Sequence, residues 1–219
     1  MKHSPAQAHQ TTRCILHLAS ILALAGALMA VMQLPAHANR DLVSPPVPSN
    51  LEVLPGNKLF LVGHAIGTQQ YICLPSGANV AWILFGPQAT LFNDNDKQII
   101  THFLSPNPSE NGTPRATWQH SNDTSAVWAM AIASSSDLAF VASDAIPWLL
   151  LEVVGDQHGP TGGARLTRTA FIQRLNTEGG LAPMSGCATP TDIGTRALVD
   201  YSADYFFYKD TQHKDSESD

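Results

Sequence analysis

Ile146-Pro147-Trp148-Leu149-Leu150-Leu151-Glu152-Val153-Val154 is the longest near-continuous apolar run beyond the N-terminal leader. Pro147 opens it and Gly155 closes it. The run is too short for a helix of ordinary length and is rich in strand formers, so it reads as a buried central strand. Trp148, Leu149, Leu150, Leu151 and Val153 are expected to be mostly buried. Leu149 and Leu151 should face the side opposite Leu150, because side chains alternate across a strand. The other segments then read as sheet that packs against this one.

Short strand patterns follow one another on both sides of that run. Upstream they are 58–64, 69–74, 80–85, 89–92, 98–103, 116–120 and 125–133. Gly67-Thr68, Pro75-Ser76-Gly77, Gly86-Pro87 and Asn93-Asp94-Asn95-Asp96 stand between them as turn signals. Downstream, 169–176 alternates Phe171, Gln173 and Leu175 against Ala170, Ile172 and Arg174. The segment 195–208 places Ala197, Val199, Tyr201, Ala203, Tyr205 and Phe207 on one face. No segment keeps a helical period for three turns. About ten short strands joined by turns predict an all-β single domain, an antiparallel sandwich or barrel.

The N-terminus reads as a targeting segment. Lys2 and Arg13 precede an apolar stretch, 15–32, and Ala36-His37-Ala38 is a small-residue cleavage signal. The domain organisation is therefore a signal peptide at 1–38, an extended proline-rich lead-in at 39–50, an all-β domain at 51–208 and a disordered acidic tail at 209–219. An uncleaved anchor is the alternative, since about 18–20 apolar residues can span a bilayer. Cleavage removes both Lys2 and Arg13 and no acid, taking the formal charge from −6 to −8. An acidic chain of this kind excludes nucleic acid and anionic membranes as electrostatic partners. Secreted or periplasmic localisation follows, with no membrane span after cleavage. Cys14 leaves with the leader. Cys73 and Cys187 remain in an oxidising compartment, where one disulfide is the simplest reading; two buried free thiols are the alternative.

Several pieces taken together resemble a known family. They are Tyr71-Ile72-Cys73, His102, Thr117-Trp118, Ile146-Pro147-Trp148-Leu149-Leu150, Ile172-Gln173-Arg174-Leu175-Asn176-Thr177-Glu178-Gly179-Gly180 and Tyr201-Ser202-Ala203-Asp204-Tyr205-Phe206-Phe207-Tyr208. The chain is similar to the secreted domain-of-unknown-function family 3455 over most of its mature length. That resemblance implies a secreted single domain with no established activity. Some fungal members carry a malate dehydrogenase label, to which this chain lends no support. A dinucleotide site needs G-x-G-x-x-G between a strand and a helix, and the glycines of 155–163 lack that spacing. The family tends to place an Asp-Gly-Ser turn after the Trp, where this chain has Asn122-Asp123-Thr124-Ser125.

The candidate ligand-binding residues are His102, Trp118 and His120, which flank the proline-rich loop 105–114. An imidazole beside an indole on neighbouring strands suits a sugar or another ring, by stacking plus a hydrogen bond. An imidazole at a sheet mouth also titrates between pH 5 and 8. The competing reading makes His102 a satisfied core histidine and Trp118 core. His64, His102 and His120 could also form a three-His metal site, but zinc spacing is absent, so no metal and no cofactor are expected. Ser-based hydrolysis lacks a G-x-S-x-G elbow. Arg174 and Glu178 read as an ion pair tying a turn to the sheet. Asn111 and Asn122 open glycosylation sequons. The function expected is a disulfide-linked, secreted module of unknown function that binds a small molecule or glycan or associates with the envelope. The alternative is a secreted hydrolase or metal-dependent enzyme using His102.

Overall fold

Strand alternation in this chain closes on itself. The computed structural model describes residues 42–211. Eight antiparallel strands form a closed barrel: β1 (Asn57–Ser76), β2 (Asn79–Phe92), β3 (Gln98–Asn107), β4 (Thr113–His120), β5 (Ala126–Ser135), β6 (Trp148–Gln157), β7 (Thr169–Gly179) and β8 (Arg196–Asp210). Each strand pairs with its neighbour in the chain, and β8 returns to pair with β1 from Asn57↔Asp210 to Ile72↔Arg196. The all-β class holds. The expected signal peptide at 1–38, residues 39–41 of the lead-in and residues 212–219 of the tail lie outside the described residues. Lys209 and Asp210, assigned above to the tail, extend β8 against Lys58 and Asn57.

Eight strands replace about ten because two turn signals are bends within strands. Gly67 lies inside β1, paired with Ala89 and Tyr201. A Cβ there would stand 2.2 Å from the Gln88 carbonyl oxygen, so only glycine lets the two backbones cross this closely. Gly86-Pro87 lies inside β2 at a bulge that skips Phe85 opposite Gln70 and Tyr71. Pro87 is tolerated because β3 pairs β2 only from Ala89 onward, so no neighbour there asks for its missing N–H.

The apolar run is buried on both faces, which explains why it does not alternate. Leu151 belongs to the barrel interior with Trp118, Val127, Ile172, Tyr205 and Phe207, and Leu149 packs against that cluster. Trp148 and Leu150 belong to a second core on the outside of β6–β8, with Phe171, Leu175, Phe206 and Tyr208. Two segments cover this outer core: the stretch before β1, through Val47, Leu51 and Val53, and the β5–β6 connection, through Val141 and Ala145. Gln173 Nε2 donates to the Leu51 carbonyl at 2.7 Å, and Gln173 Oε1 accepts from the Tyr208 hydroxyl at 2.7 Å. Asn50 Nδ2 donates to the Ser134 carbonyl at 2.9 Å. In a closed barrel no strand is central, so the run is a doubly covered wall.

The two ends of the barrel differ. At one end the β6–β7 connection packs on the β4–β5 turn, with Leu166 fully buried. Gly159 and Gly163 pass so close to Asp123 that a Cβ on either would meet its carbonyl oxygen at 1.8 and 2.2 Å. At the other end the β1–β2 hairpin projects past β3. The Cys73–Cys187 disulfide, with Cα atoms 5.5 Å apart, ties the β7–β8 connection to this hairpin. Cys73 N–H donates to the Thr195 carbonyl, Gly194 N–H to the Cys73 carbonyl, and Trp82 Nε1 to the Ser185 carbonyl.

Candidate functional site in the barrel mouth

Strand pairing loosens at the hairpin end. β4 and β5 pair only over Ala116–Gln119 and Ala126–Ala129. Beyond Ala116 the strands part, and Pro114, Arg115, Met130 and Ala131 line a cavity of about 360 Å³. Its wall continues through Leu84 and Leu104 to Leu149, and deeper residues include Gln69, His102, Trp118, Arg174 and Tyr205. Among the described residues no carboxylate lines it.

His102 and Trp118 are direct register partners on β3 and β4. Their rings stack, with centroids 4.2 Å apart and 13° between planes. Tyr205 meets both rings edge-on, at 5.2 and 5.6 Å. The stack is interior: His102 is 2% and Trp118 1% exposed. His102 Nδ1 lies 2.8 Å from the Thr117 carbonyl, so Nδ1 carries the proton and Nε2 is the ring's acceptor. Burial pushes the His102 pKa down to about 3; the Thr117 carbonyl opposes this and the Arg174 charge adds to it. The expected titration between pH 5 and 8 is therefore not available to this ring. An imidazole that stays neutral this far into acid is also a feeble general base. Among the described residues no carboxylate or second imidazole bonds to it. Nor does Trp118 offer an open platform to a sugar, since His102 covers one face.

The other candidates lie elsewhere. His120 sits at the opposite end, with Nδ1 3.0 Å from Asp123 Oδ1. Burial alone would raise the Asp123 pKa, but the Arg165 N–H and the Ser125 hydroxyl and N–H hold it down to about 2. His64 packs between Asp204, at 2.6 Å, and Asp94, at 2.9 Å, and Asp204 also accepts from Asn176 Nδ2. The three-His arrangement therefore does not form. Among the described residues no group of three His, Cys, Asp or Glu is placed to hold a metal ion.

Arg174 is the residue that sequence reasoning misplaced. It makes no ion pair with Glu178, which accepts instead from Ser202 Oγ at 3.3 Å. Arg174 shares the inward face of β7 with Ile172 and pairs in register with Leu149. Its Nη2 donates to the Pro147 carbonyl at 2.8 Å. Its Nε is buried without a partner, as are Gln69 Nε2 and Trp118 Nε1. No carboxylate lies within 4.0 Å of it among the described residues. Its charge opposes the burial that raises the Tyr71, Tyr201 and Tyr205 pKa values. The alternation of Ala170, Ile172 and Arg174 was the available signal: a cation shared a face with a core isoleucine. Gln69 gave no comparable signal.

None of the curated proteins and none of the solved structures matches this chain. The family model described as "Protein of unknown function (DUF3455)" matches residues 54–209, from just ahead of β1 almost to the end of β8, and the chain belongs to that family.

Proposed function

We propose that this domain is a non-enzymatic small-molecule receptor that works outside the cytoplasm, with its ligand in the barrel mouth. One observation carries the reading. The cavity is lined by three residues whose side-chain N–H donors are buried without acceptors, Gln69, Trp118 and Arg174. Buried polar groups in folded proteins are nearly always satisfied, so a cluster of orphans in one cavity points to a missing partner. A volume of about 360 Å³ suits one small ligand, near the lower end of the usual range. Eight-stranded barrels are wide enough to be filled by side chains or to hold one such molecule. The disulfide, and the absence of any described helix long and apolar enough to cross a membrane, are compatible with a periplasmic or extracellular site of action.

The enzymatic alternative gains nothing from His102, which is buried and held neutral. The test is a fragment screen on isotope-labelled protein by NMR. Binders are expected to move the indole N–H signal of Trp118 and the amides of Met130 and Ala131, leaving those of Asp94 and Asp123 in place. Binders that move only the latter pair, or a screen with no binder, would remove the proposal.

A further inference from the structure

We infer that the ligand of the mouth cavity is a small carboxylate with an apolar body, held by the guanidinium of Arg174. This deepens the receptor reading and rests on it.

The cavity holds two arginines in different situations. Arg115 is neutralised by its own chain: Nε and Nη2 donate to the two carboxylate oxygens of Glu110, at 2.8 and 2.6 Å. Arg174 has no such partner among the described residues. Its bonds to the Pro147 carbonyl and to the Tyr205 hydroxyl orient the group without neutralising it. A guanidinium keeps its charge, so the cost of leaving the partly buried Arg174 without a counter-charge persists. It can be relieved by an anion from outside. Gln69 Nε2 on β1 and Trp118 Nε1 on β4 are further donors without acceptors. A cation would meet the wrong sign of charge here, and a polyol would bring no charge to balance the guanidinium.

The rest of the wall decides what carries the anion. Leu84, Leu104, Met130 and Leu149 offer no polar side-chain partner, so a bare inorganic anion would leave them wet. Leu84 and Leu104 are also among the exposed large apolar residues, which puts apolar surface at the rim. A planar carboxylate matches the guanidinium fork in two parallel bonds, and its hydrocarbon body would lie along the rim.

The experiment titrates the oxidised protein at pH 7 with three probes: octanoate, 1-octanol and sodium sulfate. Calorimetry gives the affinities, and the Arg174 Nε–H signal reports the site. Octanoate is expected to bind at least tenfold more tightly than 1-octanol and to move the Nε–H signal; sulfate should bind far more weakly than octanoate. Arg174→Met should abolish the preference for octanoate while leaving 1-octanol binding near the wild-type value. Arg174→Lys, which keeps the charge and loses the fork, should fall between. Equal affinity for octanoate and 1-octanol would overturn the carboxylate while the receptor reading stood. Sulfate binding as tightly as octanoate would overturn the apolar body. No binding of any probe in the cavity would overturn this inference, and the fragment screen would then decide the receptor reading separately. The three-probe comparison needs no variant, so a poorly folding Arg174→Met leaves it intact.

Discussion

At the scale of single residues, His102 ties stability to pH. Its folded pKa of about 3 lies below the unfolded value of 6.5. The unfolded chain therefore binds more protons between those pH values, and stability rises with pH across the window. The contribution is fully present above about pH 6.5 and is lost as pH falls toward 3. At 1.36 kcal/mol per pKa unit it amounts to on the order of 4–5 kcal/mol. His64 has the opposite sign. Partial burial would lower its pKa, but Asp94 and Asp204 together raise it. Its contribution is present below pH 6.5 and is lost as pH rises through the folded pKa. Between pH 4.5 and 6.5 the acid-side loss therefore belongs to His102. Urea midpoints measured over that range should fall with pH in the wild type and stay nearly flat in His102→Phe. The same variant should cost about 1–3 kcal/mol at pH 7, because the Thr117 carbonyl loses its donor. Equal slopes in the two proteins would show that the imidazole titrates normally.

At the scale of elements, the disulfide joins the hairpin-bearing strand β1 to a connection that is otherwise exposed over most of its length. The bonds between Cys73, Gly194 and Thr195 and from Trp82 to Ser185 hold that connection in place, but each is a single hydrogen bond. The crosslink spans a sequence separation of 114 residues. In the chain-entropy model a loop of that size stabilises the fold by about 4–5 kcal/mol. The double variant Cys73→Ser, Cys187→Ser should lose that amount in urea denaturation. Protein isolated without reductant should show no free thiol at these positions by mass spectrometry. Two free thiols there would contradict the bridge.

For the whole molecule, the outer core distinguishes this barrel from a simple closed sheet. Leu51 is fully buried against β6–β8, although it precedes the first strand. Its carbonyl holds Gln173, which in turn holds Tyr208. Leu51→Ala should cost about 2–5 kcal/mol, as for a core leucine, although the residue lies outside the barrel wall. Chemical denaturation would measure this. A loss under about 0.5 kcal/mol, the range of surface changes, would show that the segment rests on the barrel without stabilising it.

Local chemistry made several features of this protein readable in advance. Alternation with period two marked strands such as β7 and β8, because the pleat dictates side-chain direction whatever the partner. It placed Leu150 opposite Leu149 and Leu151, and Asp204 opposite Tyr205. Cys73 and Cys187, the two cysteines beyond the N-terminal apolar stretch, predicted their own pairing. His102 and Trp118 proved to be register partners, as the hairpin joining their strands suggested. The tertiary structure alone decided the rest. Gly67 and Gly86 could be turns or bends, and the backbones crossing them settled the choice. Which alternating face is the interior depends on closure between β1 and β8, which are separated by almost the whole domain. The neutral state of His102 and the lack of a described carboxylate beside Arg174 depend on strands distant in the chain. Desolvation and charge pairing are properties of three-dimensional surroundings, and neither is encoded in a residue's immediate neighbours.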